Sequence, residues 1–351
     1  SNVSHLGPAG ALTLNHVYIT QQSTVSLFGT GTVSMTRCTA YGSSTFTTDA
    51  ASSCVVTWND TAVHSGSSVR AVGAGASGTF IVNASVLHGS SFIYKRHTGT
   101  LNVTRANLYG ISGIDAQSGD RSYALTNIEG RSNARMNLTG TGAVTDTLLD
   151  IEIGERGTVA ISCSGAANAL NYSYVMGLSG AINLTGTTGG PTLNRLKAFD
   201  GVINITNTTA NTNMVLCTAM DAGNIIVTGV VSPKTLQYLH AENRSTIVIN
   251  NSTGGGIITG VKVTAGGNYT VSGAAAAADG ISVEQGAIAH NGGSLSRVKK
   301  SLGGVLTTGN FNHSDIIHME PLSLTLTTAN SGRGRYAGLG ATAYAVGGSL
   351  I

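Results

Sequence analysis

Three carboxylates recur at one even interval: Asp200, Asp221 and Glu242. The interval matters chemically only if the chain folds so that all three stand side by side. Adjacent carboxylates raise one another's pKa, which suits a general acid. A glycosidase needs two of them about 5 to 9 Å apart across a sugar. The same group could hold Ca²⁺ together with backbone oxygens, the one cofactor the residues suggest. Lys197 and Arg244 lie close in sequence, so a plain ion-paired surface is the competing expectation. Glu129, Glu152 and Glu155 fall in the corresponding region of earlier segments. The chain has only 16 Asp and Glu in 351 residues, which argues against an enzyme built on acid–base chemistry.

Other ligand types are thinner. His64 and His88 occupy similar places in adjacent segments, but no third metal ligand accompanies them. His313 and His318 flank Asp315 at a spacing that matches no common zinc motif. The four cysteines, Cys38, Cys54, Cys163 and Cys217, show no C-x-x-C pair and read as buried free thiols. No metal site is assigned. Sequons abound, among them Asn59, Asn83, Asn102, Asn137, Asn183 and Asn204. A strand whose outer face is Asn and Thr produces N-x-T without any selection for glycosylation.

Whatever chemistry exists must be positioned by a repeat. The chain reads GAINLTGTT at Gly180–Thr188 and GVINITNTT at Gly201–Thr209. Taking Ile182 as anchor, equivalents run back through Val159, Met136, Ile114, Phe92, Val69, Phe46 and Val25. They run forward through Ile203, Ile225, Ile247 and Tyr269. Val25 to Tyr269 is eleven such steps, a period of about 22 residues, within the range of solenoid repeats. A second apolar column includes Leu12, Val33, Val55, Ile81, Leu101 and Leu125. Between the columns lies a glycine corner at Gly42, Gly66, Gly89, Gly110, Gly130, Gly154 and Gly177, with Asn243 able to serve in a later segment. Short runs such as Thr100–Thr104 alternate apolar and polar with period two, which means strand. The leucine-rich-repeat pattern is absent, and a propeller blade would need about 40 residues.

These features predict an all-β chain: a right-handed, single-chain parallel β-helix of about 13 coils with ~22 residues per coil. Residues 1–11 read as a lead-in, 12–294 as the β-helix, and 295–351 as a non-solenoid C-terminal cap or assembly element. In that last part, Leu322–Thr328 alternates cleanly again. Outward residues beside the anchors read Ser26, Thr47, Arg70, Ile93, Asp115, Asn137, Ala160, Asn183, Asn204, Ile226, Val248 and Thr270. That row is too irregular for an ice-ordering array. Ile226 and Val248 put two apolar side chains on neighbouring outer positions, a candidate self-association strip.

Composition narrows the partners. Charged residues make up 10%, against about 25% in a typical globular chain, while Gly numbers 48 and Pro 4. A net charge of +3 argues for no nucleic-acid partner. No apolar run reaches the roughly 18 residues of a membrane helix, so no membrane insertion is expected. The start SNVSHLGPAG has neither an initiator Met nor a signal peptide and reads as a processed or excised chain.

The coil phrases at Gly180–Thr188, Gly201–Thr209 and Gly99–Gly110 resemble the parallel β-helix domains of bacteriophage tailspikes and tail fibres. The likeness covers roughly Leu12 to Ile288 and rests on architecture, so it also fits pectate-lyase-like enzymes and bacterial surface adhesins. It implies a homotrimeric rod on a virion or extracellular surface, with neighbouring virion proteins at either end. It also implies contact with host-surface carbohydrate and, in some relatives, its cleavage. No catalytic residue carries over. The leading expectation is a virion structural or receptor-binding protein. The alternatives are a secreted or cell-surface adhesin or filament former, and a polysaccharide lyase or hydrolase using the stacked carboxylates.

Overall fold

A computed structural model of the chain describes residues 2–7, 10–29, 31–49, 55–72, 79–96, 100–118, 123–140, 147–163, 169–171, 174–176, 180–185, 192–206, 213–228, 235–252, 257–273, 277–290, 295–301, 305–308, 313–318 and 333–336. Among these, every regular element is a β-strand, and none is a helix. The chain is an all-β parallel solenoid with about 22 residues per turn. It divides into two compact units, Ser1–Thr187 and Thr188–Ile351.

In the first unit one ladder starts at Asn2–Gly7 and passes through Thr24–Gly29, Thr45–Asp49, Ser68–Val72, Phe92–Arg96, Gly113–Ser118, Arg135–Gly140 and Thr158–Cys163 to Ala181–Thr185. Every neighbouring pair is parallel, each strand bonding to its equivalent one turn on. That makes about eight turns. The second ladder of this unit includes Thr32–Thr36, Val55–Asn59, Phe80–Leu87, Leu101–Tyr109, Tyr123–Arg131 and Thr147–Gly154. In the second unit the first ladder runs Val202–Thr206, Asn224–Thr228, Thr246–Ser252, Asn268–Gly273, Ala287–His290, Val305–Thr308.

The strands form because their alternation fits a pleat with one face in the core. In Ala181–Thr185, Ile182 and Leu184 are fully buried while Ala181, Asn183 and Thr185 stay half-exposed. Val202–Thr206 and Asn224–Thr228 repeat the pattern. Burying each such Ile or Leu contributes roughly 1.5–3 kcal/mol, and it is the turn above and the turn below that bury it. The N-x-T phrases at Asn102, Asn183 and Asn204 sit outward on these strands, as the alternation requires. At Asn59 and Asn83 it breaks: Thr61 and Ser85 are buried, because Asp60 and Ala84 turn the chain with φ of 49° and 50°.

Four expectations need correction. The coil count of thirteen is not met: about eight turns are wound along the ladder that ends at Ala181–Thr185. The solenoid is wider than 12–294. It includes Asn2–Gly7, and it continues through Leu295–Ser301, Val305–Thr308 and His313–His318 to Arg333–Tyr336, all parallel. A fixed period loses this stretch because the turns shorten there: Asn268 pairs with Ala287, and Ala287 with Val305. The Leu322–Thr328 alternation lies outside the described residues. One turn is out by one place: Ile93 pairs with Val69 and Ile114 inside, and Phe92 faces out. Val55 and Ile81 likewise yield their core places to Val56 and Phe80.

The corner is only partly glycine. Gly42, Gly66, Gly89 and Gly110 do have positive φ, and so does Asn243, but later turns use Ser132–Asn133, Glu155–Arg156 and Asp221–Ala222. Gly177 lies outside the described residues. Gly130 has no positive φ, and a Cβ there would lie 2.8 Å from Ile153 Cδ1, the movable end of that side chain. Just past the corner stands a buried serine file, Ser44, Ser67, Ser91 and Ser112. The Ser44 hydroxyl donates to Tyr41 O at 2.6 Å, and Ser67 Oγ accepts from Ser44 N at 3.1 Å. Corner backbone groups are thereby satisfied inside the column.

Two buried polar atoms among the described residues have no partner, Trp58 Nε1 and Tyr269 OH. Tyr269 is 1% exposed, between Ile247 and Ile288, and burial raises its phenol pKa. Tyr269→Phe is expected to stabilise the second unit by about 1–3 kcal/mol, because it removes a desolvated hydroxyl and little volume. A thermal melt followed by circular dichroism reads this directly. A lowered Tm would mean that the hydroxyl does hydrogen-bond in solution.

Candidate functional site

The three spaced carboxylates do not form one column. Asp200 and Asp221 occupy the same corner position in successive turns, with φ of 46° and 49°, and the next occupant is Asn243 at 52°. Asn243 Nδ2 donates to Asp221 Oδ1 at 2.9 Å. Glu242 sits just before that corner, in the strand His240–Glu242, where it pairs with Thr264. Its carboxylate lies 3.6 Å from His240 Nε2. The turn that runs from Asp221 to Asn243 is longer than the turn before it, and the extra length moves Glu242 out of line. Among the described residues no three His, Cys, Asp or Glu side chains group closely enough to hold a metal ion. Ile226 and Val248 do face outward on adjacent strands, half-buried, between Asn204 and Thr270.

The first unit carries a more developed surface. Its second ladder bends where Ala84, Arg105, Asn127 and Asp150 adopt φ between 50° and 56°. Immediately beyond the bend, Val86, Asn107, Glu129 and Glu152 stack in register, side chains outward. Between these two rows lies an open groove of about 380 Å³, lined by Arg105, Asn107, Asn127, Glu129, Asp150 and Glu152 among others. Arg131, just past Glu129, donates from Nε to Glu129 Oε1 at 3.0 Å and from its terminal nitrogen to Glu152. The hydrogen bond to Glu129, with the charges of Glu152 and Glu155, raises the guanidinium pKa further. Two stacked carboxylates clamped by one cation are suited to holding hydroxyl or amine donors.

In the same unit runs a file of rings that sequence reasoning half found. Tyr41, His64, His88 and Tyr109 stack across four successive turns, with centroids 4.6, 5.1 and 4.9 Å apart and planes within 13° of parallel. Each ring immediately precedes its corner, the signal that could have joined the two tyrosines to the histidines. The stacking also argues against a shared metal at the histidines. An imidazole's lone pair lies in the plane of its ring, and the two planes are only 6° from parallel, so the lone pairs do not converge on one ion.

The file has a consequence for pH. Burial, and secondly the charge of His88, lowers the His64 pKa. Burial likewise lowers that of His240, with Lys262 adding and Glu242 opposing. The unfolded chain therefore takes up protons near pH 6.5 before the native state does. Stability is complete above about pH 6.5 and declines as pH falls through the lowered native values. Tm is expected to drop across this window, and His64→Gln is expected to shallow the drop. A flat profile, or one equally steep in the variant, would contradict it.

Cys38 and Cys217 are buried free thiols, as read from the sequence, while Cys54 lies outside the described residues. Burial pushes the Cys217 thiol up to about 12, too high for a nucleophile.

No protein-family model, curated protein or solved structure matches this chain.

Proposed function

We propose that the protein is a recognition element of a virion or other extracellular surface, a tail-fibre or tailspike-like solenoid that binds host-surface glycan along its flank. The observation that carries this reading is the groove of the first unit. It offers amides that both donate and accept, carboxylates that accept, and a guanidinium that donates, at intervals set by the ladder. Such a row matches a chain of hydroxyl-bearing rings better than it matches a compact metabolite. Three lining carboxylates against one arginine favour a neutral or amino sugar over an acidic polysaccharide.

The test is retention of the purified chain on immobilised surface polysaccharides. Arg105→Ala combined with Asn127→Ala is expected to weaken binding about tenfold, the loss of roughly one good hydrogen bond's worth of free energy. Failure of the wild-type chain to bind any surface glycan would sink the reading.

A hydrolytic reading keeps one point in its favour, the register of Asp200 and Asp221 in successive turns. Oligosaccharide cleavage lost in Asp221→Asn would support it.

A further inference from the structure

We propose that Tyr238 and Leu216 form a stacking platform for a pyranose ring, a second glycan subsite that lies on the second unit. It takes a sugar with a face of C–H groups, as in β-linked glucose. This rests on the glycan reading above and adds to it a class of sugar and a seat for it.

In the second unit the strands Asn213–Val215, Thr235–Gln237 and Ile257–Thr259 pair in parallel, and each runs into a bend. Leu216, Tyr238 and Gly260 hold that bend in successive turns, with φ of 57°, 54° and 66°. Each donates its N–H to the next turn, to the carbonyls of Gln237, Thr259 and Asp279. Glycine thus makes the same bond without the left-handed strain that a Cβ brings. Gly280 also has positive φ, at 70°. Where other turns bend in this way, polar residues such as Arg105, Asn127, Asp150 and Arg195 hold the place. A bulky apolar pair in this conformation needs a reason outside the backbone, and strain of this kind clusters at ligand sites.

Core packing does not supply that reason, since Tyr238 is 60% exposed and Leu216 42%. The Tyr238 ring is steadied from one side. A Cβ on Gly260 would lie 2.9 Å from its Cδ1 and 3.3 Å from its Cε1, so the ring rests where that glycine leaves room. Leu216 stands one turn away, about 4.8 Å, and lengthens the apolar strip. Polar residues flank the strip on both sides: Gln237 and Thr259 before the bend, Thr218, His240 and Lys262 after it. A pyranose has the matching layout, apolar C–H faces inside a rim of hydroxyls. The aromatic ring takes the face, and the polar side chains around it take the rim. A protein partner would require an apolar area larger than two side chains.

Calorimetric titration of the full chain with a soluble β-1,4-linked glucose oligosaccharide tests this. In that sugar every ring hydroxyl is equatorial and both faces carry C–H. An α-linked mannose oligosaccharide, with an axial oxygen on each face, is the comparison. Wild type is expected to bind the glucose oligosaccharide about tenfold more tightly. Tyr238→Gly is expected to weaken that binding about tenfold without lowering Tm, because it removes the stacking ring and the strain together. Tyr238→Leu, which keeps apolar bulk but no aromatic face, is expected to lose as much, and Tyr238→Trp to keep the binding. A wild type that does not bind the glucose oligosaccharide, equal affinity for the two sugars, undiminished binding in Tyr238→Gly or loss in Tyr238→Trp overturns the proposal. So does a lowered Tm in Tyr238→Gly, which would mean that the ring serves the fold. So does a change of oligomeric state in that variant in place of lost sugar binding. Retention on surface polysaccharide without Tyr238-dependent oligosaccharide binding overturns this proposal alone. Tyr238-dependent binding without that retention overturns the groove reading alone.

Discussion

Gly223→Ala is expected to destabilise the second unit by more than about 3 kcal/mol, lowering its Tm by roughly 10 °C. The residue does not have positive φ, so conformational freedom is not what it supplies. It supplies room. A Cβ on Gly223 would lie 2.0 Å from Ala198 O, 2.5 Å from Ala198 C and 2.8 Å from Met220 O, all backbone atoms in the two turns that meet there. No rotamer relieves a clash with main chain, so the ladder itself must part. Gly223 N donates to Met220 O at 2.8 Å and Asn224 N to Gly201 O at 2.8 Å, and these bonds would be the first to lengthen. Gly266 provides the control. Its φ is +80°, yet a Cβ there meets nothing closer than 3.8 Å, so Gly266→Ala is expected to cost only the left-handed backbone term of about 1–2 kcal/mol. Equal melting points for the two variants would show that crowding at Gly223 is absorbed.

Trp58→Ala is expected to cost about 3–5 kcal/mol in the first unit. Trp58 is 2% exposed and stacked in the core between Met35 and Val82 of the turns on either side. Its ring meets Phe46 and Phe80 edge-on, at 5.1 and 6.2 Å, with interplanar angles of 87° and 88°. Alanine leaves a void that rigid neighbouring turns cannot close. Trp58→Phe should cost distinctly less, because it keeps an aromatic edge and removes the unpartnered Nε1–H. Since Trp58 is the chain's single tryptophan, its emission in the wild type reports the same transition that circular dichroism follows in the variants. Identical losses for Ala and Phe would mean that the indole's fit, rather than its volume, sets the stability.

The period and the strand faces were legible wherever apolar and polar residues alternate without ambiguity. Ile182, Ile203, Ile225 and Ile247 all lie where an even repeat puts them, buried and in the ladders. The repeat misled where both parities are apolar. In FIY at Phe92–Tyr94 and FIV at Phe80–Val82, pattern alone cannot say which side chain faces in, and the neighbouring turn decides. The site was less legible. Equal intervals between Asp200, Asp221 and Glu242 hid unequal turns. The groove arises from a bend whose occupants, Ala84, Arg105, Asn127 and Asp150, share no chemistry and so leave no composition signal. The ring file was visible only at its two histidines, because the tyrosines that complete it differ in type and the spacing along the file is uneven.

Other positive-φ residues have one more consequence. At His16, Arg37, Asp60, Leu216 and Tyr238 the residue with positive φ donates its own N–H to a carbonyl of the adjacent turn: Thr36, Asn59, Asn83, Gln237 and Thr259 in order. A left-handed backbone is unfavourable for any residue with a Cβ, and here the offsetting bond belongs to another winding. A peptide excised from one winding would thus forget the shape it had in the protein. Tolerance to substitution should accordingly be mapped by comparing each residue with those above and below it, as one reads a column of figures, and not with its neighbours along the chain.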